Sequence, residues 1–272
     1  MVTGGTSGIG QVAAESIAGM GARLILVARD RARGEAALSR LRMRSPGVAH
    51  RVYYADLSRL GDMKRVANEI ATAEPRVDLL INNAGALFTP RQVTSDGLEL
   101  TFATNHLSYF VLTHFLRERL MAAAPARIVN TSSEAHRRAR LDFSDLQSER
   151  GYRGFGAYSR SKLANILFTR ELARRLKGTE VTANSLHPGF VATRFGDNNG
   201  GISSSVIGFL KRFAITPEQG AQTIIYLATS GEPAAITGQY FVKCRVATPS
   251  KQAQDDNAAK RLWEETARLA GV

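Results

Sequence analysis

Thr3-Gly4-Gly5-Thr6-Ser7-Gly8-Ile9-Gly10 begins two residues after the N-terminus and decides how the rest of the chain is read. Glycines at 4, 8 and 10 stand just ahead of an apolar-periodic run, residues 9–20. That pattern is a turn that leaves a strand and opens a helix. Glycine lets the backbone approach a ligand closely, and the helix start offers free N–H groups and a positive dipole end to a phosphate. The spacing Gly-x-x-x-Gly-x-Gly therefore points to a dinucleotide and to redox chemistry, although a tight turn without a ligand uses the same glycines. Only Met1 and Val2 precede the motif, so the first strand is expected to be truncated. An upstream extension is expected to raise stability and cofactor affinity.

Beyond the turn, strand-like and helix-like segments alternate. Short runs rich in Val, Ile and Leu at 23–28, 48–55, 77–82, 127–132 and 180–187 read as buried parallel strands, with 239–242 as a last one. Helical patterns lie at 8–19, 30–43, 59–73, 96–123, 157–177 and 217–230. The tail, 255–272, reads as a surface helix anchored by Leu262, Trp263 and Leu269. The expected fold is α/β: a Rossmann-type doubly wound parallel sheet of about seven strands with helices on both faces, in one domain spanning 1–272. Two irregular stretches, 136–155 and 195–215, interrupt the rhythm. Both should lie at the carboxyl ends of the strands, where ligands bind in such sheets. The second is expected to be a substrate lid, and its Phe195, Val206, Phe209 and Phe213 suggest an apolar substrate.

Composition narrows the class. One cysteine, Cys244, allows no disulfide within the chain and fits a reducing compartment; it reads as a small buried hydrophobe. No apolar run approaches the length of a membrane span and no signal peptide is visible, so a cytoplasmic protein without a membrane anchor is expected. The net charge of +12 comes from scattered arginines that are not interleaved with aromatics, which argues against nucleic acid as a partner. The five histidines (50, 106, 114, 136 and 187) show no ligand spacing, so no metal is expected.

The chemistry gathers at three places. The second strand ends Leu26-Val27-Ala28, with Arg29 opening the loop, where an arginine accepts the 2′-phosphate of NADP. Asp30 then caps the following helix; a strand two residues longer would instead put Asp30 on the ribose and favour NAD. Tyr158 and Lys162, four apart on a helix, share one face. A phenol with pKa near 10 is a poor proton catalyst at neutral pH, and an adjacent ammonium would lower it. Ser133 closes the strand 128–133 and could hold a substrate oxygen.

Together these residues resemble the short-chain dehydrogenase/reductases along nearly the whole chain: Thr3-Gly4-x-x-x-Gly8-Ile9-Gly10, Asn82-Asn83-Ala84-Gly85, Asn105, Ser133, Tyr158-x-x-x-Lys162 and Pro188-Gly189. Residues 105–110, 161–168 and 261–264 are most similar to the retinol dehydrogenase and protochlorophyllide reductase-like branch. The resemblance implies an enzyme passing hydride between a nicotinamide and a carbonyl or alcohol. Tyr158 would be its general acid and base, Lys162 would tune Tyr158 and bond the ribose, and Ser133, rather than Ser132, would orient the substrate oxygen. Asn105 would hold a water linking Lys162 to solvent. Gly4, Thr6, Ser7, Gly8, Ile9 and Gly10 would clamp the pyrophosphate, Asp56 and Leu57 would meet the adenine, and Asn83, Ala84 and Gly85 would border the adenosine ribose. Pro188, Gly189, Val191 and Thr193 would border the nicotinamide. NADP(H) is the expected cofactor and NAD(H) the alternative. The resemblance also implies a homodimer or homotetramer through the helices at 96–123 and 157–177, or a monomer. A nucleotide sensor that binds NADP(H) without turnover, or only weak activity from a damaged first strand, is the competing reading.

Overall fold

The structure, a computed structural model, describes residues 1–190 and 215–272. In chain order, β1 (Val2–Thr3) leads into α1 (Gly8–Gly19), β2 (Ile25–Ala28) into α2 (Arg31–Arg44), and β3 (Arg51–Tyr54) into α3 (Leu60–Ala73). β4 (Leu79–Asn82) is followed by α4 (Leu100–Phe102), a π-turn at Ala103–Leu107, α5 (Ser108–Phe115) and α6 (Arg117–Ala122). β5 (Ala126–Thr131), α7 (Gly154–Arg175) and β6 (Val181–His187) come next. After the gap stand α8 (Pro217–Thr229), β7 (Tyr240–Val242), β8 (Arg245–Val246) and α9 (Asp256–Ala270).

The sheet order is β3-β2-β1-β4-β5-β6-β7-β8, parallel from β3 to β7. Alternate residues of each strand face opposite helical layers, so both faces are apolar. Leu26, Ile81, Val129 and Leu186 pack under α1 and α8, whereas Val27, Leu80, Ile128 and Ala183 pack under α3, α5 and α7. β1 is the short central strand expected from the sequence, yet it is paired on both sides, Val2 with Leu26 and with Ile81. The Met1 amino group donates to Leu79 O at 2.6 Å and Ile81 N donates to Met1 O at 2.9 Å, which extends the pairing past the strand. The order of connection reverses between β1 and β4, placing the crevice of the doubly wound fold beside the glycine turn.

Helix starts follow local chemistry. Asp30 accepts from Arg33 N at 2.8 Å, Thr216 and Gln219 form a capping box with Pro217 at the first helical position, and Asp255 accepts from Ala258 N at 3.0 Å. α9 ends at Gly271 in the left-handed region. It lies across α7 and α5, the pair on which a homo-oligomer is expected. Trp263 stacks on Phe168 at 5.7 Å and meets Phe110 at 4.9 Å. Among the described residues no helix is long and apolar enough to cross a membrane.

The expected seven parallel strands are present, and β8 adds an eighth, antiparallel on β7. The structure corrects three expectations. Cys244 is half-buried at the tip of that hairpin and not in the core; it and Lys243 both have positive φ, 60° and 50°. That is the backbone of a tight hairpin turn, and Lys-Cys lacks the Asn-Gly signature that would announce it. The helix expected at 96–123 starts only at Leu100 and is broken by the π-turn and at Leu116. Asp96 is used elsewhere, accepting from Leu60 N to cap α3, and Glu99 starts the new helix by accepting from Thr101 N and Phe102 N. α7 begins at Gly154, three residues before the expected 157, and its first residue must be a bare glycine. A Cβ there would come within 2.5 Å of Phe88 O. The expected lid, 195–215, lies outside the described residues except for Ile215.

Candidate active site

Every parallel strand from β1 to β6 delivers a predicted site residue from its carboxyl end. After β1, Gly4 and Gly8 take positive φ, 65° and 56°. A Cβ on Gly10 would fall 2.2 Å from Gly4 O, so only glycine lets α1 start this close to the turn. Ser7 is the N-cap but makes no side-chain cap bond, and no acid occupies the first turn. The opening N–H groups of α1, with Thr6, Ser7 and Ile9 around them, thus present a positive end that no acid in the helix's own first turn answers. Thr3 welds this turn to the loop after β4. Its Oγ1 accepts from Asn83 N at 2.9 Å and Ala84 N at 3.1 Å, while Asn83 Nδ2 donates to Gly4 O at 3.3 Å.

At the adenosine end, β2 stops at Ala28 and Arg29 is exposed directly after it. Asp30 is spent on the α2 cap, so the longer-strand alternative does not apply. After β3, Asp56 accepts from Ser58 N and Oγ at 3.0 and 2.8 Å, and Leu57 is buried beside it.

Ser133, Tyr158 and Lys162 converge where β5 meets α7. Ser132 Oγ donates to Lys162 O at 2.7 Å and is pinned to the helix. The neighbouring Ser133 points the other way, as pleating requires, accepts from Ala135 N at 3.2 Å and hydrogen-bonds the Tyr158 phenol. Lys162 Nζ donates to Thr131 O at 3.1 Å and lies 5.6 Å from the Tyr158 ring centre. Burial alone pushes the Lys162 ammonium down to about 7. Burial also pushes the Tyr158 phenol up to about 12, against the Ser133 bond, which lowers it. Burial thus works against the expected depression of the Tyr158 pKa twice, raising the phenol and disfavouring the cation meant to lower it.

Asn105 sits in the π-turn. Its Oδ1 accepts from Ala86 N at 2.8 Å, and its Nδ2 donates to Ala86 O at 2.9 Å and Ser161 Oγ at 3.0 Å. It clamps the β4 loop to α7, a role in which the carboxamide is already occupied by the protein. A Cβ on Gly85 would lie 3.2 Å from Asn105 Oδ1 and 3.4 Å from Lys162 Nζ, so glycine keeps the space before the lysine open. After β6, Pro188 leads to Gly189 at φ 96°. Val191 and Thr193 lie outside the described residues. Phe155 and Phe190 are 59% and 58% exposed, and the Phe155 ring lies 6.2 Å from that of Tyr158, giving the cleft an apolar rim. The open glycine cradle, the free helix end and Arg29 fit a dinucleotide, with its reactive end toward Tyr158.

Several contributors escaped the sequence reading. Thr3 joins the two nucleotide loops; Thr131 supplies the carbonyl that holds Lys162; and Tyr109 is fully buried with its ring centre 5.8 Å from Lys162 Nζ. Asn165 donates to Asn105 O at 2.9 Å and to Thr131 O at 3.2 Å. Its place three positions after Lys162 and four after Ser161, on the face that carries Tyr158, was the available signal.

Comparisons with known proteins agree with this geometry. The sequence profile described as short chain dehydrogenase matches residues 1–200. Human retinol dehydrogenase 14 is 41% identical over 288 residues, covering 100% of this chain and 86% of that protein. Human retinol dehydrogenase 13 is 41% identical over 278 residues, covering 100% and 84%. Among solved structures, an uncharacterized protein from Mycobacterium paratuberculosis superposes with a TM-score of 0.79 at 32% identity, covering 99% of this chain and 92% of that one. RhlG of Pseudomonas aeruginosa, solved with NADP in its active site, gives 0.69 at 28% identity, covering 93% and 94%.

Proposed function

The chain belongs to the short-chain dehydrogenase family of oxidoreductases acting on CH–OH and C=O groups, and from that premise we propose an NADP(H)-dependent enzyme whose substrate is an apolar aldehyde, ketone or alcohol. The observation that carries the reading is the convergence of Ser133, Tyr158 and Lys162 beside the glycine cradle. A bound nicotinamide supplies or accepts the hydride. In reduction, the Ser133 hydroxyl donates to the substrate oxygen and the Tyr158 phenol gives that oxygen its proton; in oxidation the phenolate takes it back. With its pKa raised, Tyr158 is protonated at neutral pH, the form that reduction needs. Lys162, when cationic, stabilises the phenolate left after transfer.

Arg29, exposed at the end of β2, favours NADP through its 2′-phosphate. The apolar rim at Phe155 and Phe190 favours an extended hydrophobic substrate, and the names of the retinol dehydrogenase relatives make retinoid alcohols and aldehydes the first compounds to try. The single cysteine supports placement in the cytoplasm. A homodimer or homotetramer built on α5 and α7 would have to form around α9, which lies across both.

The direct test compares wild type with Tyr158→Phe on retinaldehyde and a panel of apolar carbonyls, each with NADPH and with NADH. Turnover should fall by about a hundredfold to ten-thousandfold, the usual worth of a positioned proton donor. A variant as fast as wild type would remove Tyr158 from the chemistry, and a clear NADH preference would remove Arg29 from the cofactor assignment.

A further inference from the structure

Three stretches, 105–110, 161–168 and 261–264, take no part in the proposed hydride or proton transfer beyond Asn105 and Lys162. The fold packs them together. His106, fully buried, lies between the rings of Phe102 at 5.1 Å and Phe168 at 6.1 Å. Its Nδ1 is 3.2 Å from Asn165 Oδ1 and its Nε2 is 3.1 Å from Thr266 Oγ1 on α9. The Asn165 amide nitrogen already donates to Asn105 O and Thr131 O, so its Oδ1 must accept from His106 Nδ1–H. A neutral imidazole then has Nε2 as an acceptor, and Thr266 Oγ1 donates to it. Burial holds His106 down at about 4, which keeps the ring neutral. Thr131 O, at the end of this chain, is the atom that receives Lys162 Nζ.

A second buried histidine ties the same C-terminal segment to the other side of the site. Ser250 N donates to His136 Nε2 at 3.1 Å, so Nδ1 carries the proton and donates to Ser133 O at 2.6 Å.

We propose that Thr266, His106 and Asn165 are positioning residues through which α9 sets the place of Lys162. The inference rests on the oxidoreductase reading above. α9 is then part of the active-site framework, not only a cover for α5 and α7, and the directional bonds leave each ring nitrogen of His106 one partner of the right kind.

Thr266→Val keeps the shape and removes the donor, Thr266→Ser restores the donor, and Leu269→Ala loosens α9 against the core without touching the relay. Each is assayed for NADPH affinity by nucleotide fluorescence, for kcat and KM, and for melting temperature. Thr266→Val should lower kcat at least about tenfold with KM changed less than about twofold, since misplacing a catalytic group by an ångström costs up to about a hundredfold. NADPH should bind about fivefold more weakly, the equivalent of one modest hydrogen bond. Thr266→Ser should recover both, and Leu269→Ala should lower only the melting temperature. Unchanged kcat and affinity in Thr266→Val, or an equal loss in Leu269→Ala, overturns the relay. If Thr266→Val does not fold, nitrogen NMR of the wild-type histidines decides: His106 must be the Nδ1–H tautomer at neutral pH, and an Nε2–H form or an imidazolium overturns it. A wild type that binds no nicotinamide nucleotide overturns the parent reading, and this one with it.

Discussion

Lys162 and Tyr158 give the ligand-free protein opposite responses to alkali. The unfolded chain keeps the lysine protonated to about 10.5, whereas the folded site releases the proton near 7. Between these values the unfolded state binds more protons, so stability rises with pH. Tyr158 ordinarily ionises near 10 but holds its proton to about 12 when folded, so above pH 10 it turns the slope downward. Each pH unit inside the lysine window contributes at most about 1.4 kcal/mol. Urea unfolding at pH 7.5 and pH 9.5 should show wild type gaining stability relative to Lys162→Met, which has nothing to titrate there. Equal pH responses in the two proteins would show that Lys162 stays charged in the folded state. That Tyr158 and Lys162 lie together was legible because two residues four apart on a helix must share a face. The burial that inverts their pKa values was not, since the groups around Lys162, Tyr109 and Thr131 among them, are distant in sequence and meet it only by folding.

Among the elements, α1 was readable to the residue, Gly8–Gly19, because its glycines and apolar spacing all specify one boundary. The β7–β8 hairpin was not, because two residues with side chains, Lys243 and Cys244, occupy positions that favour glycine or asparagine. Left-handed backbone costs such residues roughly 1–2 kcal/mol each, and the hairpin persists through its strand pairing and through Cys244 N donating to Thr223 Oγ1 at 3.2 Å. Replacing Lys243→Asn and Cys244→Gly together should therefore stabilise the protein by about 1–2 kcal/mol, read as a higher urea midpoint with an unchanged slope. A lower midpoint would mean that the two native side chains contribute more than their backbone costs. The segmented helix between 96 and 123 failed to show in the sequence for a different reason. Asp96 and Glu99 are both good helix-start residues, and which one caps which helix depends on α3 lying alongside.

Across the whole molecule, all five histidines are held below their ordinary pKa, with burial the first cause in each case. In four of them a ring nitrogen acts as an acceptor: His50 for Leu24 N at 3.0 Å, His106 for Thr266, His136 for Ser250 N and His187 for Glu134 N at 3.3 Å. Those bonds exist only while the rings are neutral. They lie at the start of β2, between the π-turn and α9, between the turn after β5 and the C-terminal segment, and at the end of β6, so no single element carries the effect. The unfolded chain takes up these protons as pH falls through 6.5 while the folded chain resists, and stability must fall with them. Protonation also adds charge to a chain already at +12, so repulsion between like charges acts in the same direction. The paired carboxylates, among them Glu74, Glu134 and Asp256, are held below their ordinary values and add their loss as pH falls through that ordinary range. The melting temperature should thus already decline between pH 6.5 and pH 4.5, before those carboxylates take part. His106→Gln should flatten the decline, since its ring stays neutral down to about 4 in the folded protein. A melting temperature that stays level from pH 7 to pH 4.5 would show that the buried rings accept protons in place, and that the bonds joining the C-terminal segment to the catalytic strands do not depend on neutral imidazoles.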